Sequence, residues 1–332
     1  MKNITLKQKE IIDFWKNVEI GNSADHSAVV PKGWRAERHL SYIQDYDVDH
    51  MLNLYYPEDF TWNTKESIDE AAPHLLPTII NIHGGGWMYG HVDDSENYMA
   101  DLAAEGYAVM GMGYRLVPGT DAKGVVQDIF ESLHWLEVHG KARGFDLGRV
   151  LVTGDSAGGH LSLLVACIEK SPELQKLYEV TPVSFEITAV GVSCPAVELD
   201  SLVLLGGDSE EETRQFTMEY KNLMLGNPED IPDWGRALSF SEFIRYVPEV
   251  KSLPPVFLIG SENESLYEQT KMLLAQFCEL GITHDSIVWK KEDGAHLMHV
   301  FNVARPEWLE SRISRDKMLM FFRNTARDKH MK

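Results

Sequence analysis

The stretch Val150-Leu151-Val152-Thr153-Gly154-Asp155-Ser156-Ala157-Gly158-Gly159-His160-Leu161 decides how this chain is read. Val150 to Val152 is a short β-branched run that reads as a buried strand, and Leu161 to Ile168 reads as an apolar helix. Between them stands Gly-Asp-Ser-Ala-Gly, the pattern of a strand-to-helix turn that lifts a serine hydroxyl into the open. Its glycines let neighbouring backbones approach where a Cβ would clash. The helix that follows turns its positive N-terminal end toward any negative charge formed at Ser156. Alone, such a pentapeptide arises by chance in roughly one chain of this length in ten, so its surroundings carry the weight.

A second run supplies them. Thr78-Ile79-Ile80-Asn81-Ile82 reads as a buried strand and is followed by His83-Gly84-Gly85-Gly86-Trp87. That glycine run is expected by chance in fewer than about one such chain in a hundred. A glycine turn after a strand, upstream of the serine, is where the donors of an oxyanion hole belong. Gly84, Gly85 and Gly86 would offer bare backbone N–H groups to a carbonyl oxygen, joined by the N–H of Ala157. His83 reads as a group that braces this loop.

A serine hydroxyl needs a base, and the base needs an acid to orient it. In this architecture the chain order is serine, acid, histidine. Beyond Ser156, His160 lies in the helix after the serine, His284 opens a strand and His330 stands in a polar tail. His296 and His299 fall in a loop after the last strand, where the base belongs. The strand Val256-Phe257-Leu258-Ile259-Gly260 leads into Ser261-Glu262-Asn263-Glu264-Ser265-Leu266, so Glu262 and Glu264 are the acid candidates.

Helical spacing covers residues 5–20, and extended segments follow at 36–44 and 50–57. Thereafter strands at 78–82, 107–114, 150–152, 187–193, 255–260 and 286–290 alternate with helices at 122–139, 161–168, 265–280 and 307–323. Alternation predicts a mostly parallel sheet covered by helices on both faces, with ligands bound beyond the carboxyl ends of its strands. Residues 197–247 break the alternation and read as an inserted helical lid.

Composition narrows the function classes. The 332 residues carry 51 acidic and 31 basic side chains, a net charge of −20, which repels phosphate backbones and anionic lipid heads. No apolar run reaches the ~18 residues that span a bilayer. Met1 to Ile20 is interrupted by Lys2, Lys7, Lys9, Glu10, Asp13 and Lys16, unlike a signal peptide. Cys167, Cys194 and Cys278 are too few and too scattered for a disulfide framework or a zinc site. The expectation is a soluble, cytoplasmic protein with no metal, no cofactor, no nucleic-acid partner and no membrane partner.

Together these residues resemble the hormone-sensitive-lipase-like group of α/β-hydrolases, and within it the bacterial acetyl-esterase-like members. The resemblance covers roughly residues 75–325. It is carried by His83 to Trp87, Tyr114-Arg115-Leu116 with Pro118, Gly154 to Gly159, Pro254-Pro255 and His299-Val300-Phe301-Asn302-Val303. It implies an α/β-hydrolase fold and hydrolysis of carboxylic esters, acetyl or other short acyl, through an acyl-enzyme on Ser156. The family's base is a His followed two positions later by Phe, which selects His299. Its acid precedes by two residues a Leu that opens the next helix, which selects Glu264. The family most often has Asp there, so Glu264 is a departure that reaches one methylene further; Asn263, selected by counting three residues from Gly260, carries no charge. Gly119 after Pro118, where the family often has Glu, is a second departure.

The resemblance also implies an organisation: residues 1–45 as an N-terminal cap segment, 46–196 and 248–326 as the core, 197–247 as the inserted cap, and 327–332 as a polar tail. Phe14, Trp15 and Trp34 from the first cap segment, and Phe216, Met218, Tyr220 and Met224 from the second, would shape the acyl and alcohol pockets. The expected partner is a small-molecule ester, and a homodimer is the one protein partner left open. An amidase or peptidase with the same triad, or a non-catalytic ligand-binding protein, are the competing readings. The intact serine, acid and histidine speak against the latter.

Overall fold

In the computed structural model, which describes residues 4–24, 29–45, 47–61, 75–202 and 209–330, the described strands join one eight-stranded sheet. They are β1 (Trp34–Ser41), β2 (Met51–Pro57), β3 (Leu76–Ile82), β4 (Ala108–Met112), β5 (Phe145–Asp155), β6 (Ile187–Ser193), β7 (Val256–Ser261) and β8 (His284–Trp289). Across the sheet the order is β1-β2-β4-β3-β5-β6-β7-β8. β1, β2 and β4 pair antiparallel, and every pairing from β4 through to β8 is parallel. The chain runs from β3 sideways to β4 and then back across to β5, so the winding reverses at β3. Open sheets bind ligands in the crevice that such a reversal leaves at the carboxyl ends of the strands. Ile82, the last residue of β3, is in register with Gly154 of β5, so the His83 loop and the Ser156 turn leave the sheet side by side.

Between and beyond the strands lie α1 (Leu6–Ala24), α2 (Glu96–Ala104), α3 (Ala122–His139), α4 (Ala157–Glu169), α5 (Pro172–Tyr178), α6 (Glu210–Met224), α7 (Phe240–Phe243), α8 (Tyr267–Leu280), α9 (Phe301–Ala304) and α10 (Leu309–His330). Strand alternation sorts the core into two faces. Ile80, Ile82, Val150, Val152 and Leu258 pack with Val126 and Ile129 of α3 and Leu161 and Leu164 of α4. Ile79, Leu151, Phe257 and Ile259 pack on the opposite face with Met99 and Leu102 of α2 and Leu319 and Phe322 of α10. Helix starts are marked by side chains that take up otherwise orphaned N–H groups: Asp121 for Gly124 of α3, Ser171 for Leu174 of α5 and Ser209 for Glu212 of α6.

Helix 122–139 and strand 187–193 fall where periodicity predicts them. The strand read at 150–152 spans Phe145–Asp155, because pairing with β3 continues across an irregularity between Pro77 and Thr78. The helices α2 and α5 are too short to show a sustained period and escape the sequence reading. α10 continues to His330, so most of the segment read as a polar tail is helix. No helix among the described residues is long and apolar enough to cross a membrane. Cys167, Cys194 and Cys278 are unpaired thiols.

Candidate active site

Ser156 sits in the turn from β5 to α4 at φ 50° and ψ −117°. This is a left-handed conformation that costs a non-glycine residue strain, and the surroundings must hold it. The Ser156 N–H donates to Ser193 O at 2.9 Å, while Ser156 O accepts from the N–H groups of Ala196 and His160, both at 3.1 Å. A Cβ on Gly158 would lie 2.0 Å from Ile82 O and 2.6 Å from His83 O. The elbow's second glycine is therefore demanded by the end of β3, and the two sequence motifs are one packed unit.

Glu264 follows β7 and His299 follows β8. The buried Glu264 carboxylate accepts from His299 Nδ1–H at 2.9 Å, from the Leu266 N–H at 2.7 Å and from the Thr270 hydroxyl at 3.3 Å. An ionised carboxylate only accepts, so the His299 proton stays on Nδ1 and Nε2 is left as an acceptor. That Nε2 lies 3.0 Å from Ser156 Oγ. Asn302, one turn beyond on α9, accepts a short hydrogen bond from the Ser193 hydroxyl and ties the histidine loop to the end of β6.

The competing neighbours point elsewhere. Glu262 accepts from Lys290 Nζ at 2.8 Å and from the Lys291 N–H at 3.2 Å, and the Lys290 ammonium holds its carboxyl below the usual glutamate range. Asn263 donates to Gly294 O at 3.0 Å. His296 is exposed, packs edge-on against Trp308 and lies 3.6 Å from Glu310. His160 is buried on α4, where its Nε2 contacts Leu238 O at 2.5 Å. His284 Nδ1 contacts Ile282 O at 2.8 Å.

Each peptide of the glycine loop has a fixed orientation. His83 O accepts from the Tyr114 hydroxyl at 2.8 Å, Gly84 O accepts from His83 Nδ1–H at 2.7 Å, and Gly85 O accepts from the Met88 and Tyr89 N–H groups at 3.0 Å. In a trans peptide the N–H points opposite to the C=O, so the Gly85 and Gly86 N–H groups face away from these donors. Among the described residues, no protein acceptor takes the N–H of Gly85, Gly86 or Ala157. Gly84 differs from the sequence expectation. Its N–H donates to Asp155 Oδ1 at 3.2 Å, so it is already engaged. His83 stacks on Tyr114 at 4.2 Å, and burial lowers its pKa to about 4, leaving a neutral ring.

Burial raises the Asp155 pKa to about 6, opposed by the nearby His299 and the Gly84 N–H. Between the unfolded carboxyl value and 6, the folded state binds the proton more tightly than the unfolded state, so this group makes stability fall as pH rises. Asp155→Asn keeps an acceptor for Gly84 and removes the buried charge. Thermal unfolding of both proteins between pH 4.5 and 7.5 is expected to show the parent losing ground to the variant as pH rises, by about 2 kcal/mol over that interval. A parent that gains on the variant over that interval would contradict this account of Asp155.

Aromatic residues from α1 and α6 lie against the loop. Trp15 stacks on Tyr89 with ring centroids 5.6 Å apart, and the Tyr220 hydroxyl donates to Gly86 O at 2.6 Å. Phe216, Tyr220 and Met224 are buried, whereas Met218 is 54% exposed on the outer side of α6. Trp34 is not part of this group. It stands on β1 at the sheet edge, tilted against Tyr55 at 5.8 Å, because β1 pairs with β2 far from the carboxyl end of β5. The buried sulfur of Cys194, a Glu264 oxygen and a His299 nitrogen lie within 4.8 Å of one another. Burial and the Glu264 charge push the thiol's pKa up, so it stands there as a neutral S–H. No sequence signal marks Thr270; Asn302 lies inside the His299 run but shows its role only through its contact with Ser193.

The reversal of winding at β3, with its glycine loop packed on the serine turn, defines the α/β-hydrolase fold and, within it, the hormone-sensitive-lipase-like esterases. The BD-FAE family model matches residues 67–277, and the chain belongs to that family. It is similar to esterase B from Lactobacillus rhamnosis, solved with a C4-C4 SN3 tributyrin phosphonate inhibitor. That match has a TM-score of 0.86 and 38% identity, covering 98% of this chain and 97% of that one. Among curated relatives, Lipase 2 of Moraxella sp. is 34% identical over 125 residues, or 37% of this chain. Esterase LipI of Mycobacterium tuberculosis is 34% identical over 91 residues, or 27% of this chain. The chain spans 28% of the length of each of these two curated relatives.

Proposed function

We propose that this chain hydrolyses carboxylic esters with short acyl chains through a covalent acyl-enzyme, with Ser156 as nucleophile, His299 as base and Glu264 as orienting acid. The observation that carries the reading is the unbroken relay of 2.9 Å from Glu264 to His299 and 3.0 Å from His299 to Ser156. His299 Nε2 takes the hydroxyl proton as Ser156 Oγ attacks the ester carbonyl. The oxyanion is received by the N–H groups of Gly85, Gly86 and Ala157, while Glu264 stabilises the imidazolium. Collapse expels the alcohol with the proton from His299. A water then gives a proton to His299 and attacks the acyl carbon, and the carboxylic acid leaves as Ser156 regains its proton.

Residues 1–45 and 197–247 are proposed to act as a cap over this centre, with Trp15, Phe216, Tyr220 and Met224 bounding the acyl and alcohol pockets. Short acyl preference draws on esterase B, whose inhibitor is a tributyrin phosphonate and so carries four-carbon chains. Turnover of p-nitrophenyl esters is expected to be fastest for acyl chains of about two to six carbons, the window that resemblance to short-acyl relatives suggests. Faster turnover of a dodecanoyl ester than of acetate or butyrate would overturn the preference. A matched p-nitroanilide in the same assay separates the competing classes. Hydrolysis of the anilide at the ester's rate would favour an amidase, and turnover of neither would favour a ligand-binding protein.

A further inference from the structure

Five successive carbonyls define the glycine loop, from His83 O to Trp87 O. Four are held by the core itself. His83 O takes the Tyr114 hydroxyl, Gly84 O takes His83 Nδ1–H, Gly85 O takes the Met88 and Tyr89 N–H groups, and Trp87 O takes the Val117 N–H at 2.9 Å. Gly86 O is different, since its donor is the Tyr220 hydroxyl of α6 at 2.6 Å. The peptide it belongs to is also flanked by two left-handed residues, Gly86 at φ 56° and Trp87 at φ 59°. A peptide following glycine turns more readily than its neighbours, because no Cβ restricts the rotation.

Trp15 closes the other side. A Cβ on Gly86 would lie 2.5 Å from its ring, so the indole rests directly on this residue. α1 and α6 are fastened to each other as well. The buried Gln8 donates to Glu219 Oε2 at 2.8 Å and to Asn227 Oδ1 at 2.6 Å. Burial pushes the Tyr220 phenol up, which keeps its proton available for donation.

We propose that Tyr220, with Trp15 seated against Gly86, is a latch by which the two segments outside the core hold the oxyanion loop in its donating conformation. Tyr220 is thus a positioning residue for catalysis and more than pocket lining. The inference rests on the esterase reading above. Its chemical consequence is specific: the Tyr220 bond anchors Gly86 through the Gly86–Trp87 peptide, so loosening the latch leaves the acid–base relay intact, while Gly86 and the N–H it offers the oxyanion are then held from the Gly85 side, by the Met88 and Tyr89 N–H groups on Gly85 O. The loss belongs to the transition state and not to the ground state.

The test uses the full chain, Tyr220→Phe and Trp15→Leu, with p-nitrophenyl butyrate as substrate. The second probe is a butyryl trifluoromethyl ketone, whose reversible Ser156 adduct places an oxyanion at the same point. Tyr220→Phe is expected to lower kcat about tenfold, the effect of one lost hydrogen bond, with KM within about twofold of the parent. Inhibition by the ketone should weaken by the same factor as kcat. Trp15→Leu should shift both in the same direction by a smaller factor, and it carries the test if Tyr220→Phe fails to fold. Unchanged kcat, or a raised KM at unchanged kcat, would reduce Tyr220 to pocket lining and overturn the latch. A parent without ester turnover would refute the esterase reading and the latch with it, whereas an active parent with indifferent variants refutes the latch alone.

Discussion

Ser156→Ala is expected to reduce turnover of an activated ester by about four orders of magnitude or more, while leaving the protein folded. The hydroxyl is the group proposed to bond to the acyl carbon, and the alanine variant keeps every backbone contact of the turn. Those contacts are the Ser193 O, Ala196 N–H and His160 N–H partners of residue 156, all made by main-chain atoms. Among the described residues, the side chain's one hydrogen bond is the 3.0 Å contact to His299 Nε2. Thermal unfolding should therefore be nearly unchanged, because the strained backbone and its contacts are kept and one hydrogen bond of about 1 kcal/mol is lost. Single-turnover assays with p-nitrophenyl acetate and a melting curve on the same preparation check both halves. Retention of a tenth of parental turnover would show that another residue is the nucleophile.

The second large effect separates neighbours. His299→Ala is expected to approach the serine variant, since proton transfer itself is lost. His296→Ala should stay within about twofold of the parent, because its exposed ring packs on Trp308. Glu264→Gln should cost less than His299→Ala, on the order of a hundredfold to ten-thousandfold. The imidazole survives that change, but the amide neither holds its Nδ1 proton as firmly nor stabilises the imidazolium. Glu262→Gln loses only partly exposed contacts with Lys290 and Lys291, and activity should remain near parental. An inactive His296 variant, or a Glu262 variant worse than the Glu264 one, would falsify this assignment of acid and base.

Much of this was legible in the chain because it is encoded locally. A β-branched run followed by Gly154-Asp155-Ser156-Ala157-Gly158 reads as a sharp turn from strand to helix once the glycine run after Ile82, a bare backbone loop, stands upstream of it. Strand and helix periods, each spanning a few consecutive residues, predicted the mostly parallel sheet and the element containing each candidate. Boundaries and short elements were lost where periodicity is brief, as in α2 and α5. The polar end of α10 was read as a tail because a solvent-facing helix end needs no apolar stripe.

What the tertiary structure alone decided are relations between residues far apart in sequence. Glu262 and Glu264 are the same residue type two positions apart. Only the packing of β7, β8 and α8 turns one toward His299 and Thr270 and the other toward Lys290. Gly84 looks identical to Gly85 and Gly86 until Asp155 takes its N–H across the β3–β5 register. Trp34 and Trp15 both read as cap aromatics, but the pairing of β1 with β2 carries Trp34 to the sheet edge while Gln8 clasps α1 to α6 and presses Trp15 onto Gly86. Backbone propensity and hydrophobic period act over a handful of residues, and so they can be read from the chain. Which side chains meet depends on strand order and on helices packing across the sheet, and those are fixed only when the whole core closes.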